Sequence, residues 1–500
     1  VAKPSETSFF GHPRGLSTLF FTEMWERFSF YGIRPLLVLF MSAAILDGGF
    51  GFDRRTASAI VGIYGFSVYL ASLPGGWIAD RWLGLRRSIW WGGVLIATGH
   101  LCIALSSVFA KPAFFLGLVF IVMGTGLLKP NISATVGELY PDGGARRDAG
   151  YSIYYMGINL GAFAAPLITG ALGERVGWHF GFGAAGVGML LGLITFRLRA
   201  PTTLGSIGLA PNASPEEQRR VRLITFVGVV AIFLTVILAS LGTLAINPVS
   251  LAEKMSVIVA TMALLYFGYL FFFAGLTSKE KKGVAVIVVL FVFATIFWAA
   301  FEQAPTSLNL FARDFTDRVV FGWEMPTTWL QAANSLFVVT LAPVFAWLWV
   351  SLAKRNLELS SPAKFSFGLV LAGLGFQVMV LAANQVIGGG GNGVRVSMLW
   401  LVFSYFLQTL GELSISPVGL SSMTKLAPPR FVGQMMGVWF MASAIGNLIA
   451  GLVGGHVNPE NLQEMPQLFQ RTAFSLFIAA AVLGLMVVPI RRMMGERANN

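Results

Sequence analysis

The sequence predicts an all-α integral membrane protein of about fourteen helices, and three observations carry that prediction. Hydrophobic residues make up 55% of the 500 residues and charged residues only 12%, roughly half the charged share of a soluble domain. The apolar runs are near 20 residues long, which suits helices, and they are not the alternating ten-residue segments of a membrane barrel. The lysines and arginines gather in every second loop, as they do in polytopic membrane proteins.

The first apolar run, 16–45, follows a short polar stretch with Lys3 and Arg14, where no cleavable signal peptide is expected. Arg54 and Arg55 precede the run 56–79, and Arg81, Arg86 and Arg87 separate it from 88–109. Lys111 precedes 113–138, and Arg146 and Arg147 lie between that run and 149–172. Arg175 leads into 178–196. The longest polar connection, 197–222, contains Pro211, Asn212, Ser214, Pro215, Glu216 and Glu217 and reads as a loop between two halves. The runs 223–244 and 253–276 follow, then Lys279, Lys281 and Lys282 ahead of 284–312. Arg313 and Arg318 precede 327–352, and Lys354, Arg355 and Lys364 precede 365–387. Gly388–Gly391 with Asn392 and Gly393 reads as a short turn before 396–424. Lys425 and Arg430 lead to 432–455. Arg471 stands at the start of 469–490, which Arg491, Arg492 and Arg497 follow.

An even number of spans puts both termini on one side. With that side inside, 23 Lys/Arg residues fall in inside loops and 9 in outside loops, while Arg27, Arg34 and Lys129 fall within spans. This bias supports cytoplasmic termini. In a soluble protein the net charge of +12 would suggest a nucleic-acid partner. Here it is an orientation signal, and no nucleic acid is expected. The fourth and twelfth runs share a pattern: Gly124, Lys129-Pro130-Asn131 and Glu138 parallel Gly411, Ser416-Pro417 and Lys425. This fits a transporter of two six-helix halves, 1–200 and 283–500, with a linker of two further helices at 201–282.

Several chemistries are excluded. Cys102 is the only cysteine, and His12, His100, His179 and His456 are far apart in sequence. No disulfide framework, metal site or cofactor is expected. An enzyme is disfavoured because no serine stands near a histidine. A channel is disfavoured because nothing resembles repeated pore loops.

Ionisable groups inside a span cost about 2.5–3.5 kcal/mol each on insertion scales, so they are functional candidates. They are Glu23, Glu26, Arg27, Arg34, Lys129, Glu302 and Glu412. At 100° per residue, Glu23, Glu26, Arg27, Phe30, Tyr31 and Arg34 share an arc of about 140° on the first helix. Glu23 and Arg27 form an i,i+4 pair, whereas Glu26 meets Arg27 only if the side chains flex. Lys129 precedes Pro130, where a bend and no local partner are expected. Glu302 shares a face with Trp298, Pro305 and Asn309, and Glu412 shares one with Gln408, Ser416 and Gly419. Beyond the local Glu–Arg cluster, the first half supplies cations and the second half acids. That division suits a zwitterion with separated ends and suits proton coupling. Tyr69, Asn159, Asn334, Ser443, Trp298 and Trp439 are candidates to complete such a site.

Here the sequence resembles a known family. Glu23-Met-Trp-Glu26-Arg27-Phe28-Ser29-Phe30-Tyr31-Gly32 resembles the ExxERFxYYG motif of the proton-coupled oligopeptide transporters, a branch of the major facilitator superfamily. Phe30 stands at the first tyrosine of that motif. Tyr154-Tyr155-Met156-Gly157-Ile158-Asn159-Leu160-Gly161 resembles FYxxINxG, with Tyr154 for Phe. Gly411-Glu412 with Pro417 resembles GExxxxP, and Gly76 through Arg81 with Gly84, Arg86 and Arg87 resembles the superfamily's loop between helices two and three.

The resemblance implies a proton-coupled symporter that imports di- and tripeptides by alternating access. Arg34 and Lys129 would receive the peptide carboxylate, and Glu412 with Asn159 and Asn334 the amino group. Tyr31 and Tyr69 would line the site. Glu23, Glu26, Arg27 and Glu302 would couple the proton. Lys129–Glu412 and Arg54 (or Arg55)–Asp314 are the expected inner and outer gate pairs. Fourteen helices and a short 388–393 turn match the bacterial pattern, so a bacterial cytoplasmic (inner) membrane and a functional monomer are expected. The runner-up is a symporter of nitrate, another anion or an amino-acid-like solute, and Glu412 argues against an anion.

Overall fold

The computed structural model describes residues 7–141, 144–209, 211, 213–355, 357, 359–390 and 393–494. Gly391 and Asn392 of the expected turn lie outside the described residues, as do Lys3, Asn212 and Arg497.

Among the described residues the fold is nearly all helix. The long helices are α1 Arg14–Ser42, α2 Arg54–Ile78, α3 Leu85–Ala104, α4 Ser106–Glu138, α5 Gly144–Arg175, α6 Trp178–Thr203, α7 Pro215–Ser240 and α8 Pro248–Phe272. Then come α9 Ser278–Phe301, α10 Ala332–Lys354, α11 Ser361–Gly388, α12 Leu399–Leu426, α13 Val432–Gly454 and α14 Glu464–Met494. A wide-turned segment, Ala304–Leu308, and a last stretch, Asn309–Phe315, prolong α9. The expected fourteen spans are therefore present. Eleven of them are apolar and long enough to cross a membrane on composition alone. The remaining three are α1, α3 and α12. Of these, α1 carries the buried Glu23, Glu26, Arg27 and Arg34, and α12 the half-buried Glu412.

Short two-stranded pairings decorate the helix ends. Thr316–Asp317 pairs in parallel with Val396–Ser397, and Val319–Val320 pairs antiparallel with Trp323–Glu324.

One expectation needs correction. The polar stretch 197–222 is mostly helix, because α6 runs to Thr203 and α7 starts at Pro215. Ser214 accepts from the Glu217 amide while Glu217 reaches back to the Ser214 amide, so the charged residues form the capped first turn of α7. At Pro130, where a bend was expected, α4 stays helical. Its non-helical residue is Ala110, at φ 52° and ψ −144°, ahead of Pro112. Pro130 removes the amide that would bond the Gly126 carbonyl. That carbonyl instead faces Gly75 of α2, where a Cβ would lie 1.9 Å from it.

The chain forms two compact units, 1–51 with 67–246 and 52–66 with 247–500. In unit 1, α3 and α4 pack along a glycine seam. A Cβ on Gly92 would lie 2.7 Å from the Gly124 carbonyl, and one on Gly99 would lie 2.6 Å from that of Gly117. Backbones this close exclude any side chain at the crossing, as in other small-residue seams of membrane helices. In unit 2, Gly368 of α11 and Gly411 of α12 meet in the same way, at 2.9 and 2.7 Å. Gly124 and Gly411, matched in the sequence pattern, are thus both crossing points with the preceding helix. The two additional helices divide between the units: α7 packs on α4, and α8 packs on α13 and α9.

Candidate functional site

In unit 1 the polar cluster grows from α1, which packs against α5 and α6. Glu23, Glu26 and Arg27 are buried on it. The expected i,i+4 pair is present but loose, with Arg27 Nε 3.4 Å from Glu23. The tighter partner is the sequence neighbour Glu26, which accepts from both Nε and Nη2, the latter at 2.5 Å. The guanidinium fork matches two carboxylate oxygens at once, and its long stem bends back far enough to do so.

Phe30 does more than lack a hydroxyl. Its ring lies 4.9 Å from the Arg27 guanidinium and 5.7 Å from that of Arg34. An aromatic face between two guanidinium groups softens their repulsion. Tyr31 meets Phe30 edge-on at 5.1 Å.

Lys129 has a partner from α2: its ammonium sits 4.7 Å from the centre of the Tyr69 ring. It also interacts electrostatically with Glu23. No partner was expected on its own helix, and both of these groups come from neighbouring helices, which a helical wheel does not contain. Asn159 on α5 donates to the Tyr155 carbonyl at 3.0 Å. Sequence reasoning missed two further contacts. Tyr154 lies within hydrogen-bonding reach of Glu23 and 3.3 Å from Ser133. Ser29 hydrogen-bonds the buried His100 of α3 at 2.5 Å. Tyr154 was visible as a motif departure, whereas His100 carried no signal.

In unit 2, Asn334 of α10 and Glu412 of α12 meet directly. The Asn334 amide donates to Glu412 Oε2 at 3.2 Å and to Thr409 Oγ1 at 2.9 Å. Thr409 and Glu412 are three residues apart, so one helix face presents both. That spacing was a legible signal. Glu302 is buried and interacts electrostatically with Glu412. It stands at the end of the regular part of α9, at φ −74° and ψ 3°, two residues before the wide-turned segment. The 100° wheel that grouped Glu302 with Pro305 and Asn309 therefore does not hold there.

The Trp439 ring covers Gly419 so closely that a Cβ would lie 2.1 Å from it, and Phe365 flanks the same ring at 6.2 Å. Trp298 packs against Gly446, and Ser443 is buried on the same helix, α13. At one end of the unit, Arg54 pairs with Asp314 at 2.5 Å and donates to the Val457 carbonyl at 2.8 Å. Arg55 instead pairs with Glu464, at 3.4 Å, which resolves the alternative between the two arginines. No cluster of three metal-ligating side chains occurs among the described residues.

Long apolar helices that bury charged side chains, with acids and bases together in unit 1 and acids in unit 2, define a polytopic membrane transporter. The description "POT family" belongs to the family model that matches residues 86–468, and the chain belongs to that family. It is 52% identical over 499 residues to the peptide transporter YePEPT of Yersinia enterocolitica, covering 99% of this chain and 97% of that one. It is 38% identical to the di-/tripeptide transporter of Lactococcus lactis subsp. lactis, covering 98% of each. A POT family transporter solved with a thioalcohol-conjugated peptide superposes with a TM-score of 0.87 at 36% identity, covering 97% of this chain and 98% of that one. The fold is that of the major facilitator superfamily, and the protein is an integral membrane transporter.

Proposed function

We propose that this protein is a proton-coupled symporter that imports di- and tripeptides by alternating access. The relatives named as peptide and di-/tripeptide transporters support that substrate class. The observation that carries the reading is the division of charge. The intramembrane cluster of unit 1 holds Arg27, Arg34 and Lys129 against Glu23 and Glu26, whereas that of unit 2 holds the acids Glu302 and Glu412. A peptide is a zwitterion whose two ends are complementary to those two clusters.

In this reading Arg34 and Lys129 take the peptide carboxylate. Glu412, oriented by Asn334 and joined by Asn159, takes the ammonium group. Tyr31, Tyr69, Trp298, Trp439 and Ser443 line the side-chain and backbone subsites. Glu302 and the Glu23–Glu26–Arg27 cluster receive and pass on the proton. Lys129 with Glu412, and Arg54 with Asp314, are the proposed gate pairs. A carboxylate that takes up a proton releases its cation, which lets a gate open. The proposed division is two six-helix bundles, 1–200 and 283–500, with 201–282 as a linker of two helices. Both termini are placed on the cytoplasmic side of an inner membrane, and the monomer is taken as the working unit.

The driving force suffices. One charge moved through 100 mV is worth about 2.3 kcal/mol and one pH unit about 1.4 kcal/mol. Together they give several hundred-fold accumulation for one proton per peptide. An anion as substrate is disfavoured, because Glu412 repels it and the named relatives carry peptides. Proteoliposomes supply the test. Dipeptide uptake is expected to require an inward proton gradient and to collapse with an uncoupler, and uptake indifferent to the uncoupler would rule the coupling out.

A further inference from the structure

Unit 2 contains a cleft of about 550 Å³ between α9, α13 and α14, apart from the polar groups assigned above. Ile296, Ala299, Ile449, Val453 and Leu468 form its apolar wall, and Gln303, Gln467, Thr472 and Ser475 add polar groups. Its polar rim includes Arg471. Phe474, Ile478, Val482 and Leu485 form one stripe along α14 and are 44–83% exposed. Residues spaced by three and four lie on one helix face, so Arg471 continues this stripe toward the start of the helix. The stripe is apolar and exposed in a membrane protein, so it faces lipid.

Arg471 is seven residues after Glu464, which places it about 10 Å along the helix axis. It is exposed, and among the described residues it makes no hydrogen bond or ion pair. Glu464, the acid on the same rim, is already engaged. It binds His456 at 2.9 Å and Asn461 at 2.8 Å, and it pairs with Arg55 at 3.4 Å. It therefore neither neutralises Arg471 nor strongly repels an anion beside it. An arginine on a lipid-facing surface, above an apolar cleft, calls for an anionic group attached to a hydrocarbon chain.

We infer that the α9–α13–α14 cleft is a phospholipid site, with the lipid phosphodiester on Arg471 and an acyl chain along Ile296, Ala299, Val453 and Leu468. Guanidinium pairs bidentately with phosphate oxygens, and the apolar walls replace neighbouring acyl chains. The ligand is a membrane lipid and not free phosphate, since a phosphate ion alone would leave Ile296, Ala299, Ile449, Val453 and Leu468 without an apolar partner.

The test is native mass spectrometry of the full-length protein extracted in mild detergent, followed by titration with short-chain phosphatidylglycerol. The wild type is expected to retain one phospholipid. Arg471→Leu is expected to weaken retention about fivefold, the worth of one surface cation, and Arg471→Lys to restore most of it. Ala299→Phe, which fills the cleft with Arg471 intact, is expected to lower retention as well. Arg395→Leu, a change at an arginine remote from the cleft in sequence, is expected to leave it unchanged. A wild type without bound phospholipid would overturn the inference whether or not the variants fold. So would Arg471→Leu and Ala299→Phe that both retain lipid like the wild type, or displacement of the lipid by inorganic phosphate alone.

Discussion

The assignment of the peptide ammonium to Glu412 is open to a sharp test. Glu412→Gln keeps the shape of the side chain and an oxygen that accepts from Asn334, now 3.2 Å away, so the α10–α12 contact survives. What disappears is the charge. A hydrogen bond to a charged group is worth about 1.5–3 kcal/mol, against about 0.5–1.5 kcal/mol for a neutral one. The variant should therefore lose about 1–2 kcal/mol of peptide affinity, which is roughly 5- to 30-fold. The assay is competition for dipeptide uptake in proteoliposomes, run in parallel with an N-acetylated dipeptide that lacks the ammonium group. In the wild type, acetylation should weaken binding by a comparable factor or more. In Glu412→Gln the difference between the free and acetylated peptides should shrink, because the partner of the ammonium is gone; this is the logic of a double-mutant cycle. If the variant loses the same factor for both peptides, Glu412 does not read the amino end and the reasoning fails.

Three further predictions follow from the same geometry. Lys129→Ala removes a cation that touches Tyr69 and interacts with Glu23; gradient-driven uptake should disappear, as measured with labelled dipeptide under an imposed pH gradient. Glu302→Gln, at the end of the regular part of α9, should spare peptide counterflow and suppress accumulation against a gradient; equal loss of both would remove Glu302 from the coupling role. Gly99→Val puts a branched side chain where even a Cβ lies 2.6 Å from the Gly117 carbonyl. It should destabilise unit 1 by about 1–3 kcal/mol, visible as a lowered melting temperature in detergent, while Gly76→Ala, with open space around the position, should leave the melting temperature unchanged.

Much of the fold was legible because a bilayer constrains sequence more tightly than water does. Every span must satisfy its backbone internally and be apolar over some 20 residues, so hydropathy and loop charge located all fourteen helices. The errors arose where charge was read as loop. Glu216 and Glu217 are polar, but after Ser214 and Pro215 they are the signature of a capped helix start, and α7 begins there. At Pro130 proline removes a hydrogen bond, and close approach by Gly75 covers the freed Gly126 carbonyl while the helix continues.

The sequence by itself determined the class of protein, the helix count and which charges lie within the spans. Those depend on the cost of placing a group in hydrocarbon, and that cost belongs to each residue and its span. Only the tertiary structure decided partners. Arg27 takes Glu26 more tightly than Glu23, Lys129 rests on Tyr69, Asn334 reaches Glu412 and Thr409, and Arg54 rather than Arg55 meets Asp314. The last three are contacts between helices or segments far apart in the chain, and the first depends on how one side chain folds back. Helical periodicity gives a residue its direction from its own axis. It does not give the identity of whatever the next helix brings to that place, which only the packing of the helices settles.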